Sequence, residues 1–253
     1  MNRILNVIVG LVVLLVTAPA GAQETSGTMT KWFLTTVTPG HDLEWEEAAA
    51  QHVEWHRQQN DTWTWYTYKI VSGERLGQYL TITTDHAWAD FDTPPVSARE
   101  DEADRVTRLG PHIESSSSGF WTELRDLSRP PDMVQPFPLM QLIDYGVKVG
   151  ERATFELNVA QFGQTVDEQN LSAAYLWFMK PDGGAATRTF TRIVPYANWG
   201  ALGAGPGGAV NYGSFIATHG EAGLERWIDM FAQSVDWLTS EFWEYRPDLS
   251  HIP

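Results

Sequence analysis

The sequence predicts an α+β protein built from two copies of one β-α-β-β-α-β unit. The segment SGFWTELRDLS at 118–128 returns 122 residues later as SEFWEYRPDLS at 240–250. A second set of residues recurs at an offset of 110, pairing Gly40, Glu46, Gln51, Gln59 and Asn60 with Gly150, Glu156, Gln161, Gln169 and Asn170. Two constant offsets separated by one insertion indicate a duplicated module. The predicted elements also follow the same order in both copies.

The first copy begins with a strand, because KWFLTTVT at 31–38 is rich in β-branched and aromatic residues. Pro39 and Gly40 end this strand, and Asp42 can cap the helix that follows. The run SSSS at 115–118 is expected to be a loop or a helix end. The remaining predictions are a helix at 42–59, strands at 63–73 and 76–84, an acidic helix near 97–114 and a strand at 119–126.

The second copy repeats this order after a proline-rich linker. Its predicted strands lie near 139–147, 173–179, 187–194 and 241–246, and its helices near 151–168 and 220–239. The extra residues of this copy fall in or near the glycine-rich stretch 200–214, which is expected to form a loop. The predicted boundaries are module one at 23–130, a linker at 131–138 and module two at 139–253.

Residues 1–22 have the pattern of an export signal. Arg3 precedes an apolar stretch from Ile4 to Val16, and Ala20-Gly21-Ala22 is a typical small-residue cleavage site. We therefore expect an exported protein, periplasmic or secreted. An uncleaved anchor is the alternative, although the apolar run is shorter than the ~20 residues that a membrane span needs.

The charge of the chain limits its partners. The formal net charge is −15, and a surface of this sign repels phosphate backbones and anionic lipids. We expect no nucleic-acid partner and no membrane association after signal cleavage. The chain has no cysteine, which excludes disulfides and thiol chemistry.

A β-α-β-β-α-β unit is the ferredoxin-like split βαβ motif, an antiparallel sheet with both helices on one face. The open face needs a cover, which the sheet of a second copy can supply. On this element order, on VTPGHDLEWEEAAAQH at the first strand-to-helix turn, and on Trp88 and Trp199 after the third strands, the chain resembles the dimeric α+β barrel superfamily in a fused, two-module form. The fold class is therefore α+β, two tandem ferredoxin-like modules whose sheets pack into an intramolecular barrel, and we expect a monomer or a weak homo-oligomer.

His52 and His56 are the predicted catalytic residues. They lie four residues apart on the first helix and so share one face. The second copy has Phe162 and Val166 at the same places, on an apolar stripe that must pack on the sheet. Two polar groups in a core stripe cost free energy unless they find partners, which suggests a cavity in module one and a filled counterpart in module two.

Three interpretations of these histidines remain open from the sequence. They can be structural, hydrogen-bonded to a nearby tyrosine. They can serve a ligand or catalytic pocket, for which the predicted ligand-binding residues are Trp63, Trp65, Tyr66, Tyr68 and Trp88. A metal site would need a third ligand, for which the candidates are His41, Asp85 and His86. Their spacing in the sequence matches no known metal-binding motif, so no metal ligand is predicted.

The resemblance brings two further expectations. Haem-binding relatives hold iron with a helix histidine, and His112 and His219 lie in or beside the second helices, but neither is well placed. No cofactor is therefore predicted. Cofactor-independent monooxygenase relatives oxidise aromatic molecules in an aromatic-lined cavity.

The functional prediction is binding of a small apolar or aromatic molecule in the helix–sheet cavity of module one. The first alternative is a cofactor-independent monooxygenase-like enzyme in which His52 or His56 acts as a base. The second is a structural protein without a ligand, in which module two only replaces a dimer partner.

Overall fold

A computed structural model describes residues 29–130, 135–180, 189–202 and 211–253. Module one contains β1 (Met29–Val37), α1 (Asp42–Gln58), β2 (Tyr66–Ile70), β3 (Tyr79–His86), α2 (Ala98–Arg108) and β4 (Ile113–Glu123), with short 3-10 turns at 88–92, 110–112 and 125–127. Module two contains β5 (Leu139–Val147), α3 (Arg152–Glu168), β6 (Leu176–Met179), β7 (Thr189–Tyr196), α4 (Trp199–Leu202), α5 (Tyr212–His219), α6 (Glu221–Ser234) and β8 (Val235–Tyr245). The predicted signal and most of the predicted glycine-rich loop lie outside the described residues.

The eight strands close into one antiparallel barrel in the order β1-β3-β2-β8-β5-β7-β6-β4. Each module contributes four neighbouring strands. The modules join where β2 pairs with β8, for example Tyr68 with Tyr245, and where β4 pairs with β6, for example Thr122 with Met179. The predicted α+β class, with two sheets forming one intramolecular barrel, is confirmed.

Large side chains from both modules fill the barrel interior. Trp121 of β4 and Trp243 of β8 occupy equivalent positions in the two copies, and their rings stack with centroids 6.3 Å apart. Tyr68 and Met140 are fully buried beside them. Both modules therefore contribute to one core. Burial of each side chain of this size stabilises the folded state by about 1.5–3 kcal/mol.

The helices cover the outer face of the barrel. Helices α1 and α2 pack on module one, and α3, α5 and α6 form the corresponding layer over module two. Among the described residues, no helix is long and apolar enough to cross a membrane.

The serine run at 115–118, expected to be a loop or a helix end, is part of strand β4. Its residues are exposed but pair with β1, as Ser118 does with Phe33. Residues 235–239, expected to be helical, form the equivalent exposed part of β8 and pair with β5. Both predictions were wrong because the backbone ladder fixes these strands while their side chains bury nothing.

The described end of the predicted linker enters the core. Gln135 and Phe137 are buried. The side-chain amide oxygen of Gln135 accepts a hydrogen bond from the Tyr68 hydroxyl at 3.0 Å, and its backbone carbonyl accepts one from Tyr66 at 3.0 Å. This segment therefore closes part of the barrel interior.

A single carboxylate joins α1 to the last turn of the chain. Arg246 donates to both Glu46 oxygens at 2.6 and 2.9 Å, and the Tyr79 hydroxyl also donates to Glu46. The Arg246 hydrogen bonds, which outweigh the opposing effect of burial, lower the pKa of Glu46 to about 2. The carboxylate therefore stays ionised far into acid.

We expect Glu46→Gln to lower the free energy of unfolding at pH 7 by about 1–3 kcal/mol, because it removes charge-assisted hydrogen bonds. Since the folded pKa of about 2 lies below the usual glutamate value of 4.5, this contribution is complete above pH 4.5 and is lost as the pH falls towards 2. Urea unfolding of both proteins across this range measures the difference.

The equivalent module-two residue provides the control. Among the described residues Glu156 bonds only to Arg152, one turn away on the surface of α3, so Glu156→Gln should change stability by less than about 0.5 kcal/mol. Equal effects of the two substitutions, or a Glu46→Gln effect that persists unchanged at pH 2, would contradict this role of Glu46.

Candidate functional site

A cavity of about 210 Å³ lies between the helices and the sheet of module one. Most of its wall is apolar and comes from α1, α2, the strands and the chain end: Phe33, Trp45, Ala49, Val53, Trp65, Leu109 and Leu249. Its polar lining includes Lys31, His52, His56, Asp101, Arg105 and His251. The cavity is thus an apolar chamber with a titratable cluster in its wall.

Strand alternation decides which residues reach this cavity. Lys31, Phe33 and Thr35 alternate along β1 and line it, whereas Trp32 and Leu34 between them pack with the barrel interior. Lys31, Phe33 and Thr35 therefore face the helices, and the residues between them face the barrel interior.

His52 and His56 line the cavity, one turn apart on α1. Their Nε2 atoms are 3.3 Å apart. The Nε2 atoms lie 3.3 Å and 3.5 Å, respectively, from Oδ1 of Asp101 on α2. The packing of α1 against α2 thus gathers three potential donor atoms at one point.

The other ring nitrogen of each histidine also meets a carboxylate. Nδ1 of His52 is 2.8 Å from Asp104 on α2, and Nδ1 of His56 is 2.7 Å from Asp61, which follows α1. Asp61 is held in turn by the backbone N–H of Trp63 at 2.9 Å and the indole N–H of Trp65 at 3.0 Å. The two rings are therefore fixed from behind.

These carboxylates set the protonation of the cluster. Burial of His56, which is 5% exposed, opposes its positive charge, but hydrogen bonds to Asp101 and Asp61 prevail and raise its pKa to about 9. Against the opposing effect of burial, hydrogen bonds from His52 and His56 lower the pKa of Asp101. Without a bound ion, His56 is an imidazolium at neutral pH.

The structure separates the predicted tryptophans. Trp65 lines the main cavity, and Trp63 lines a smaller adjoining cavity of about 100 Å³ that also contacts His56 and Asp101. Trp88 is 50% exposed and lines neither cavity, but it packs on Phe91 and Phe120, which line the smaller one.

Tyr66 and Tyr68 do not line either module-one cavity. Both side chains belong to the core inside the barrel, where their hydroxyls donate to Gln135. They have the opposite parity on β2 to Thr67, which does line the main cavity. The sequence prediction treated the aromatic run as one wall, but alternation divides it between two compartments.

None of the three candidate third ligands joins the histidine pair. His41 contacts His112 through ring nitrogens 3.1 Å apart, and Asp85 pairs with Arg125 at 3.0 Å. His86 contacts the Thr83 hydroxyl at 2.6 Å and packs on Trp63. The third group beside the pair is instead Asp101.

Sequence reasoning missed Asp61, Asp101, Asp104 and His251. Asp61 carried a detectable signal, because its module-two counterpart at an offset of 110 is the apolar Leu171. Asp101 and Asp104 lie within the acidic run REDEADR, where charge alone does not distinguish an inward residue. His251 is buried, stacks on His56 and contacts the Asp61 carbonyl at 2.9 Å; it comes from the far end of the chain.

Module two also has a helix–sheet cavity, of about 210 Å³. The expectation of a filled counterpart was wrong: Phe162 replaces His52, yet space remains between Phe155, Trp177 and Trp227. The two cavities differ in chemistry, since no carboxylate or histidine lines the second one within the described part of the chain. Arg192 is its charged lining residue there.

The residues present do not fit haem. His219 points its Nε2 at the Gln161 carbonyl and the Thr165 hydroxyl, at 3.2 and 3.1 Å, and does not line the module-two cavity. His112 is paired with His41 outside the module-one cavity. In that cavity the Nε2 atoms of His52 and His56 and Oδ1 of Asp101 lie within 3.5 Å of one another. A macrocycle does not leave three adjacent positions free on its iron, so this set of donor atoms does not suit haem.

No protein-family model matches the sequence, and no curated protein matches it. Solved structures do match. A candidate monooxygenase from Lactobacillus acidophilus superposes with a TM-score of 0.55 at 12% identity, covering 89% of this chain and 96% of its own. An anthrone oxidase-like protein gives 0.52 at 11% identity, with 88% and 92% covered.

A mutant chlorite dismutase from Candidatus Nitrospira defluvii gives a TM-score of 0.51 at 8% identity, with 89% and 94% covered. At such identities the likeness concerns the fold alone. Coverage of nearly the whole of each chain includes both modules and the barrel between them. The chain therefore has the fold of the dimeric α+β barrel superfamily, with both ferredoxin-like modules in a single polypeptide.

Proposed function

We propose that the protein binds a small apolar or aromatic molecule in the module-one cavity. The observation that carries this proposal is the cavity itself, an apolar chamber of about 210 Å³ with one titratable wall. A dry apolar cavity of about 150 Å³ accommodates benzene, so this volume suits a molecule of one or two rings. Trp45 and Trp65 supply aromatic faces for it.

Lys31 supports a ligand that carries an anionic oxygen. Its side chain lines both module-one cavities, and its ammonium lies 5.0 Å from the Phe33 ring centroid. No carboxylate of the described residues lies within salt-bridge distance of it. A phenolate or carboxylate on the ligand would supply the missing counter-charge.

Oxidation of the bound molecule is the second candidate function, favoured by the titratable cluster in the cavity wall. The similar structures include a candidate monooxygenase and an anthrone oxidase-like protein. The corresponding reaction converts a CH₂ group beside an aromatic ring and one O₂ into a C=O group and one water. Because the pKa of His56 is raised to about 9, this residue is not the base in the scheme, and His52 is the other histidine of the predicted pair.

We also propose that the chain is exported, with cleavage after Ala22. Expression of the complete chain in a bacterial host should give a periplasmic protein whose intact mass begins at Gln23. Ala22→Leu should block processing, because the cleavage site needs a small residue. A full-length mass in the membrane fraction for the unaltered chain would support the uncleaved anchor instead.

Filling either cavity tests which one binds the ligand. Ala49 and Val159 occupy equivalent positions on α1 and α3, and each lines a cavity of about 210 Å³. We expect Ala49→Phe to reduce the affinity for one- and two-ring phenols and aromatic acids at least tenfold, since the added ring occupies the site. Val159→Phe should leave the affinity unchanged. Isothermal titration with a fixed panel measures both.

Overpacking costs about 1–3 kcal/mol at either position, so thermal unfolding of both variants checks that they are folded. An affinity lost in Val159→Phe and kept in Ala49→Phe would place the ligand in module two. Absence of binding by the unaltered protein across the panel would favour the structural alternative. Oxygen consumption with each bound compound separates binding from oxidation.

A further inference from the structure

Three donor atoms in the wall of the module-one cavity form a nearly equilateral triangle. Its edges are 3.3 Å between Nε2 of His52 and Nε2 of His56, 3.3 Å from His52 to Oδ1 of Asp101, and 3.5 Å from His56 to the same oxygen. Among the described residues this is the one group of three histidine or acidic side chains close enough to share an ion.

The size of the triangle discriminates between coordination geometries. Zinc binds imidazole nitrogen and carboxylate oxygen at about 2.0–2.2 Å, which separates two ligands of a tetrahedron by about 3.3–3.6 Å. Adjacent ligands of an octahedral ion at about 2.1 Å lie only about 3.0 Å apart. The observed edges match the tetrahedral value, so the side chains would need little movement to hold such an ion.

Ion binding requires His56 to release one proton, and the hydrogen bonds behind the rings then leave each lone pair on Nε2. Each Nδ1–H donates to a carboxylate, Asp104 for His52 and Asp61 for His56. A neutral imidazole that donates through Nδ1 carries its lone pair on Nε2. Histidines that bind metals almost always donate the other ring N–H to a carboxylate, a backbone carbonyl or a water molecule.

The local charge also favours a cation. Three carboxylates, those of Asp61, Asp101 and Asp104, contact the two imidazoles. Arg108 balances Asp104 at 2.7 and 2.9 Å. Within the described residues no lysine or arginine forms a salt bridge with Asp61 or Asp101, so a divalent ion that displaces the His56 proton would neutralise both.

We propose that module one holds a divalent first-row metal ion of the zinc type, ligated by Nε2 of His52, Nε2 of His56 and Oδ1 of Asp101. All three residues line the cavity, so the fourth position of the tetrahedron would be open to it. A site with two histidines, one carboxylate and an open position is one of the arrangements found in catalytic zinc sites. Such an ion activates water or polarises a ligand oxygen.

Module two lacks the whole set and so provides an internal reference. At the offset of 110 that relates α1 to α3, Phe162 and Val166 replace the two histidines. At the offset of 122 that relates β4 to β8, Gly223 replaces Asp101. If the three residues bind one ion together, a copy without the ion has no use for any of them. Module two retains none of the three.

Metal titration tests the proposal on the purified protein after treatment with a chelator. We expect one Zn²⁺ or Co²⁺ per chain, with the intense visible absorption of tetrahedral Co²⁺. At a free metal concentration 100 times the dissociation constant, the melting temperature should rise by about 5–10 °C. This readout does not depend on an organic ligand, so the metal site and the proposed binding function can fail separately.

Single substitutions identify the ligands. Asp101→Asn, His52→Gln and His56→Gln should each weaken Co²⁺ binding by more than about 100-fold and abolish the tetrahedral spectrum. Asp104→Asn leaves the three ligands in place and should weaken binding by about 10–100-fold, the loss typical of a partner behind a ligating histidine. His219→Gln is the matched control, a module-two histidine with two hydrogen bonds of its own, and should bind like the unaltered protein.

Two results would overturn the proposal. One is a metal-free protein that binds neither ion more tightly than the double variant His52→Phe/His56→Val, which copies module two. The other is a tetrahedral Co²⁺ spectrum that survives Asp101→Asn and His56→Gln, since the ion would then lie elsewhere. If a variant does not fold, the Co²⁺ spectrum of the unaltered protein still shows whether the chain has a tetrahedral metal site.

Discussion

Closure of the barrel is the constraint on which the remaining structure depends. Eight strands from two modules leave no sheet edge open, and the interior they enclose is filled by Trp121, Trp243 and their neighbours. Because alternate residues point to opposite faces, the side chains not committed to this interior must face the helices. The space between helices and sheet is consequently where a pocket can form, and both modules have one.

The buried polar cluster of module one lowers the stability of the folded state, and other interactions of the fold must compensate for it. Module two has Phe162, Val166 and Leu171 in place of the two imidazoles and Asp61, and it has no carboxylate at the positions of Asp101 and Asp104. In module one, desolvation opposes the charge on His56 and on Asp101. Their mutual hydrogen bonds compensate for this only while α1, α2 and the segment around Asp61 keep their positions. Such an arrangement is typical of a site retained for chemistry, since packing alone would be served by apolar residues.

The fold followed from the sequence because duplication doubled each weak local signal. The wrong elements have one cause: the serine run of β4 and the exposed start of β8 are held by backbone pairing with distant strands, which local propensity does not report. In the site, His52 and His56 were found through their contrast with Phe162 and Val166. Asp101 was not found, because its inward direction depends on the packing of α2 against α1.

Fusion of the two modules has a consequence for the number of sites per barrel. A symmetric homodimer assembled from module one would carry two identical buried acidic clusters, and every substitution in one would appear in the other. In a single chain the two modules can change independently. Module one has a histidine–carboxylate cluster, whereas module two has Phe162 and Val166 at the positions of the histidines. Within the part of the chain that the structure describes, each barrel thus has one such cluster, and the proposed ion would bind there in a single equilibrium without cooperativity between halves.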